Sequence, residues 1–206
     1  MLMAPEIIVV VTALAVLLAD LVISEKHRSD LAVLALIGLG VACGFVVALM
    51  PVEGVLLGGR FSVNAVAWWF KLLFLGSAML TVAMSTEALN GRAAAPSSAL
   101  CSRGEYYTVL LLTVAGMMFL ASATDLVTLY VSLELATIPL FILTAWKRDA
   151  LSGEAGLKYV IMGALASALL IYGLGILYGL TAHTDFAGIS QALNESSPAF
   201  WLAVAL

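Results

Sequence analysis

The chain has 206 residues, 63% hydrophobic and 11% charged, with a formal net charge of −4 and a mean hydropathy of +1.11. A soluble domain is about half apolar and a quarter charged, so these proportions exclude a water-soluble core. The acidic balance offers no basic face to nucleic acid.

The charges fall in clusters about 20 residues apart, the length a helix needs to cross the hydrocarbon layer. The apolar runs between them predict six complete spans and the start of a seventh. They are Pro5 to Ile23, Leu31 to Met50, Ala65 to Ser85, Tyr106 to Ala123, Leu126 to Ala145 and Gly156 to Leu180. The seventh begins near Ala199 and is cut at Leu206. Each must be helical, because lipid offers no partner to open backbone N–H and C=O groups. The alternating segments of about ten residues that a β-barrel needs are absent. The expected fold is all-α, a polytopic transmembrane helical bundle. The first run opens on an acid, Glu6, and is followed at once by a second. That argues against a cleaved signal peptide, which has a basic start.

Orientation follows from the loop cations. Lys26, Arg28, Arg92, Arg103, Lys147 and Arg148 lie in alternate loops, and the opposite loops hold only Arg60. Six against one places the first set in the cytoplasm and the N-terminus outside. Lys71, near the outer end of the third span, is expected to snorkel beside Trp68 and Trp69. The stretch 91–105, rich in Ala, Ser and Gly, reads as a cytoplasmic loop. It separates three N-terminal helices (residues 1–90), apolar inside, from helices with polar residues at mid-depth (106–206). Function is therefore sought in the second group.

Glu134 lies about nine residues from either end of the fifth span, roughly 13 Å deep at 1.5 Å per residue. A carboxylate there cannot snorkel, and holding it ionised costs at least about 2.5 kcal/mol. It must be protonated, paired or facing a hydrated interior. The bland alternative is a neutral glutamate joining helices. Tyr130 and Thr137 share its helical face, and Pro139, lacking an N–H, leaves the carbonyl of Leu135 without its helical donor. These groups predict a polar stripe able to hold a water wire, although such a proline also serves simply to kink a helix.

Lys158 follows Glu154 at i,i+4, the spacing of a surface pair; a proton-relay role is the competing reading. The sixth span is rich in small residues, among them Gly163, Ala164, Ala166, Ser167, Gly175 and Gly179, and Gly175 with Gly179 forms a GxxxG suited to close helix packing. Asp20 and Glu87 lie near span ends, Asp125 in a short turn, and His183 and Asp185 in an outer loop. Cys43 sits in an apolar run and Cys101 in a polar loop, so neither a disulfide nor a metal spacing is expected. The chain has no nucleotide loop, no nucleophile with a partnered base and no ligand set for haem or iron–sulfur. Redox chemistry belongs to another protein.

In order, the chain carries Glu105-Tyr-Tyr, Gly116-Met-Met-Phe-Leu-Ala-Ser-Ala, Leu129-Tyr-Val-Ser-Leu-Glu134-Leu, Ile138-Pro139-Leu, Trp146-Lys-Arg-Asp149 and Glu154-Ala-Gly-Leu-Lys158-Tyr159, then Gly163-Ala and Ala166-Ser-Ala. This ordered set, over about residues 100 to 190, resembles the antiporter-like subunits of respiratory complex I, the N-type most of all. The resemblance implies membrane-embedded proton translocation, driven by quinone reduction elsewhere in the complex. In that family a glutamate of the fifth span pairs with a lysine of the seventh, and a charged axis continues through the membrane. Glu134 matches that glutamate, and Lys158 matches a lysine of the sixth span in N-type subunits. Tyr130, Thr137 and Pro139 are the supporting residues.

The resemblance further implies no cofactor in this chain, with quinone and NADH handled by other subunits. It implies membrane and peripheral subunits and lipid as partners, and a bacterial plasma (inner) membrane as location. Family members have about fourteen spans in two inverted repeats, so the chain is expected to be part of a longer subunit. The competing readings are a subunit of a related multisubunit cation/proton antiporter and a purely structural membrane subunit.

Overall fold

The computed structural model describes residues 2–22, 30–92, 103–147, 149–192 and 198–206. In chain order the helices are α1 (Ala4–Val22), α2 (Asp30–Leu49), α3 (Ala65–Arg92), α4 (Arg103–Leu120), α5 (Leu126–Thr144), α6 (Ala150–Thr181), α7 (Phe186–Ala192) and α8 (Pro198–Ala205). Among the described residues, α1, α2, α3, α5 and α6 contain stretches long and apolar enough to cross a membrane; the apolar part of α4, Gly104–Leu120, is shorter. Helix α3 runs on to Arg92 and α4 starts at Arg103, so the helices take up both ends of the stretch read as a loop over 91–105. Lys26, Arg28, Cys101 and Arg148 lie outside the described residues.

The outer helices show membrane packing turned toward a shared centre. Helix α1 buries Val9, Ala13 and Val16, and α2 buries Leu31, Ala35, Leu39, Ala42 and Val46. These are the three- and four-residue steps of one helical face. Their other faces expose Ile7, Val11, Leu14 and Leu18, and Val33, Ile37, Val41 and Phe45, as lipid contact requires. Helix α4 is different. It packs against α1, α2, α3 and α5, and Tyr107, Thr108, Leu111, Thr113, Ala115 and Met118 are all buried. A central helix does not meet lipid, which is why threonines occur at its mid-depth. Thr108 Oγ1 donates to Gly104 O at 2.8 Å and reaches Ala13 O of α1 at 3.3 Å.

Small residues set the closest approaches, as expected where van der Waals packing holds helices together. A Cβ on Gly116 would strike the backbone of Ala136, so α4 and α5 touch main chain to main chain; one on Gly38 would strike the Thr12 side chain. The GxxxG of α6 does not act this way. A Cβ on Gly175 or Gly179 would meet nothing within 4 Å, whereas Gly163 packs on the Phe141 ring.

One element departs from the all-α expectation. Between α2 and α3, strands β1 (Gly54–Leu56) and β2 (Phe61–Val63) pair antiparallel, with Gly54 opposite Val63 and Leu56 opposite Phe61. The turn passes through the left-handed region at Leu57 (φ 54°), Gly58 (φ 66°) and Gly59 (φ 96°), which the two glycines make accessible. This hairpin lies over one end of the bundle and is tied to the α4–α5 turn. Ser62 N donates to Ser122 O at 2.9 Å, Thr124 N to Arg60 O at 3.2 Å, and Thr124 Oγ1 to Gly59 O at 2.6 Å.

Candidate intramembrane proton site

Helix α5 starts where Asp125 caps it: its carboxylate accepts from Thr128 N at 2.9 Å. Leu126 N donates to Thr184 O at 2.8 Å and Phe186 N to Thr124 O at 3.2 Å, so the segment after α6 is zipped to the start of α5. Helix α6 starts at a capping box, with Asp149 and Ser152 exchanging backbone and side-chain bonds. With both starts fixed, the faces of α5 and α6 meet in a set register.

Between them lies an open-sided cleft of about 1370 Å³. Glu134 is half-buried on its wall. Ser167 Oγ of α6 donates to Glu134 Oε1, and the Tyr130 hydroxyl is 2.9 Å from the same Ser167 oxygen. A serine has one O–H. With that proton given to Glu134, the tyrosine hydroxyl must donate to serine, which orders the chain Tyr130, Ser167, Glu134. If the carboxyl is protonated, both hydroxyls can turn and the chain reverses. Tyr130 also lines a second cleft of about 380 Å³, with Leu126, Tyr178 and Thr184. It stands between two openings.

The residues expected to make a stripe do not all reach this cleft. Thr137 lines it, but its hydroxyl donates to Leu133 O at 3.0 Å within its own helix. Pro139 is buried and is not on the cleft wall. Lys158 is 71% exposed and paired with Glu154; its neighbours Leu157 and Tyr159 line the cleft, and it does not. The geometry thus fits the surface-pair reading of Lys158. Ser167, by contrast, was legible only as one of the small residues of α6. Its role depends on which turn of α6 faces Glu134, which no single helix reveals.

A larger departure lies at the hairpin end. Lys71 does not snorkel. Its side chain is fully buried, with Nζ 2.6 Å from Oε1 of Glu6, which is fully buried too. The ammonium lies 4.7 Å from the centre of the Trp68 ring and 5.2 Å from that of Phe61, within cation–π range. Trp69 instead points outward, 64% exposed. The N-terminal helices, read as apolar inside, hold a buried ion pair. Two signals pointed to it: an acid in the first turn of one span, and a lysine six residues into another.

Among the described residues no group of three or more His, Cys, Asp or Glu could hold a metal ion. Cys43, in α2, is a free thiol. Outside the spans, Asp185 Oδ2 accepts from Gly188 N at 2.7 Å, and that hydrogen bond holds its carboxyl below the usual carboxylate range, with His183 adding a smaller pull.

Apolar spans packed on a shielded central helix, with a carboxyl and two hydroxyls strung across a cleft between two of the helices, define a polytopic helical membrane protein. Residues 123–206 match the family described as NADH:quinone oxidoreductase/Mrp antiporter, transmembrane. It is 38% identical over 204 residues to NADH-quinone oxidoreductase subunit N of Moorella thermoacetica, covering 98% of this chain and 41% of the relative. It is 36% identical over 191 residues to the subunit N of Sphingopyxis alaskensis, covering 92% and 38%. A chain of respiratory complex I from Thermus thermophilus, solved with bound aureothin, superposes with a TM-score of 0.76 at 27% identity, over 98% of this chain and 41% of that one. The chain thus spans about two fifths of the length of these relatives.

Proposed function

We propose that this chain is part of a proton-translocating membrane subunit of NADH–quinone oxidoreductase, with Glu134 as the acid that takes up and releases the proton. The supporting observation is the Tyr130–Ser167–Glu134 chain, which joins two clefts through a membrane-spanning pair of helices. An intramembrane carboxyl is expensive to hold, and one that is bonded to reversible hydroxyls and open to a cleft is placed to exchange protons. The chain crosses six times, enters a seventh span at α8 and has its N-terminus outside. Other subunits of the complex carry NADH and quinone chemistry, and the assembly lies in a bacterial inner membrane. Lys158 marks the cytoplasmic mouth of the cleft, and the relay continues from Glu134 to a lysine of a later span.

The test is Glu134→Gln in the assembled complex, reading protons moved per electron passed to quinone. The expected result is normal assembly with proton movement sharply reduced. Unchanged pumping overturns the reading in favour of a structural subunit. The second reading, a cation/proton antiporter subunit, has one specific support, the family description that names both activities. It predicts Glu134-dependent exchange of a cation for protons across vesicles without NADH oxidation.

A further inference from the structure

We propose that Glu6 and Lys71 form a second proton-holding site in the membrane, separate from Glu134 and sealed at one end of the bundle by the hairpin Gly54–Val63. The inference rests on reading the chain as a proton-translocating subunit, and it assigns a function to a region otherwise free of chemistry.

Three observations carry it. Both side chains are fully buried and paired at 2.6 Å, the arrangement that makes an intramembrane ionisable group a functional candidate with a named partner. The ammonium has a second set of partners, the rings of Trp68 and Phe61. The rings would help to hold the ammonium's charge when the carboxyl is protonated. The seal is also built from separate pieces. Phe61 and Val63 of β2 are buried, and Trp68 Nε1 donates to Val52 O at 3.0 Å, closing the loop before the hairpin over α3.

Among the described residues, Lys71 is the charged neighbour that acts on Glu6, and Glu6 the one that acts on Lys71. The other charges at this end are engaged elsewhere: Glu53 Oε1 accepts from Ala65 N at 3.2 Å, and Arg60, 69% exposed, lies 4.0 Å from Asp125.

Two proton steps are open to such a site. In the first, one Nζ–H bond of the Lys71 ammonium breaks and an O–H bond forms on Glu6 Oε1. The charged pair becomes an amine and a carboxylic acid with no change in net charge. The two forms lie closer in energy in a low-dielectric pocket than in water. In the second, the hairpin opens and Glu6 takes a proton from water, giving the site a net charge of one, with the ammonium left on the two rings. Exchange with water depends on the hairpin, which is bonded to the turn that starts α5. The second site is thereby joined to the helix that carries Glu134.

The test uses the full-length subunit in its assembled complex. Replacing both members, Glu6→Leu with Lys71→Met, leaves no unpaired charge, and apolar replacement of a whole buried pair is commonly tolerated. The expected result is an assembled complex that moves fewer protons per electron. An assembled double variant with the parent ratio shows a merely structural pair and overturns the proposal. Should the double variant fail to assemble, the unmodified complex decides. A hydrophobic carbodiimide, which couples to protonated carboxyls in membranes, is expected to label Glu6 during turnover and not at rest, as read by peptide mass. Absence of label on Glu6 during turnover, or equal label at rest, overturns the proposal. Label on Glu6 is read independently of Glu134, so a normally pumping Glu134→Gln variant would sink the proposed function without deciding this site.

Discussion

Helices α1 to α4 and helices α5 and α6 each place a glutamate inside the spanning part of the chain, and they treat it in opposite ways. Glu6 is enclosed, ion-paired to Lys71 and covered by a hairpin; Glu134 is half-buried, bonded to a serine hydroxyl and set on an open cleft. The first environment holds a charge by giving it a counter-charge. The second leaves the carboxyl able to exchange, because its partner is a hydroxyl that donates or accepts. The helices follow suit. Those around Glu6 bury their facing stripes on one another, whereas α6 exposes Leu157, Val160, Ile161, Leu165, Tyr172 and Tyr178.

The strongest way to break this contrast is to strip Glu6 of its partner. Lys71→Met alone leaves an uncompensated buried carboxylate, a loss of about 3–5 kcal/mol. The expected outcome is a large drop in the thermal midpoint of the purified complex, partly recovered when Glu6 is also made apolar. If the single change costs no more than the double, the pair is not sealed from water. Next in size is the contact that joins the two regions. Gly116→Ala drives a methyl into the backbone of Ala136, where no side chain can give way, and overpacking of this kind costs about 1–3 kcal/mol. Less assembled complex is expected, with the α4–α5 distance increased between spin labels. A third change separates stability from proton movement. Ser167→Ala removes two interhelical hydrogen bonds, each worth about 0.6 kcal/mol in a membrane, and it cuts Tyr130 from Glu134. The thermal midpoint should barely move while the rate of proton translocation falls, and Tyr130→Phe should do the same.

Hydropathy alone located the apolar helices, because lipid imposes a length and composition that nothing else in a sequence imitates. Glu134 and Tyr130 were legible for a related reason: they are four residues apart on one helix, so their common face follows from 3.6 residues per turn. Ser167 was not, since its partner lies 33 residues away and the α5–α6 register depends on two helix caps and on the Gly163–Phe141 contact. Lys71 was misread for want of the same information. A lysine near the end of a span has water within reach of its stem, and only the arrival of α1 and the hairpin removes that water. The hairpin itself left a trace in Gly58-Gly59, a turn signal between Val-rich and Phe-Ser-Val segments, but strands of three residues are too short to stand out beside helices of twenty or more.

The smallest effect is expected outside both sites, in the segment after α6 that is zipped to the start of α5. Asp185 receives the Gly188 N–H, and its carboxyl titrates below the ordinary range because that bond favours the charged form. A group with a depressed folded value adds stability that is present above its unfolded value, near 3.9, and is lost as the pH falls through the folded value. The cap should therefore be intact at neutral pH and weaken only in acid, with faster exchange of the Gly188 amide as its first sign. Because Asp185 is solvent-exposed and pairs across a bridge with Asp125 at the head of α5, Asp185→Asn tests whether this latch matters to Glu134. If the variant loosens the Gly188 amide and leaves Glu134-dependent proton movement intact, the cleft is held by its own helices. If proton movement slows as well, the register of α5 on α6 is set from this end.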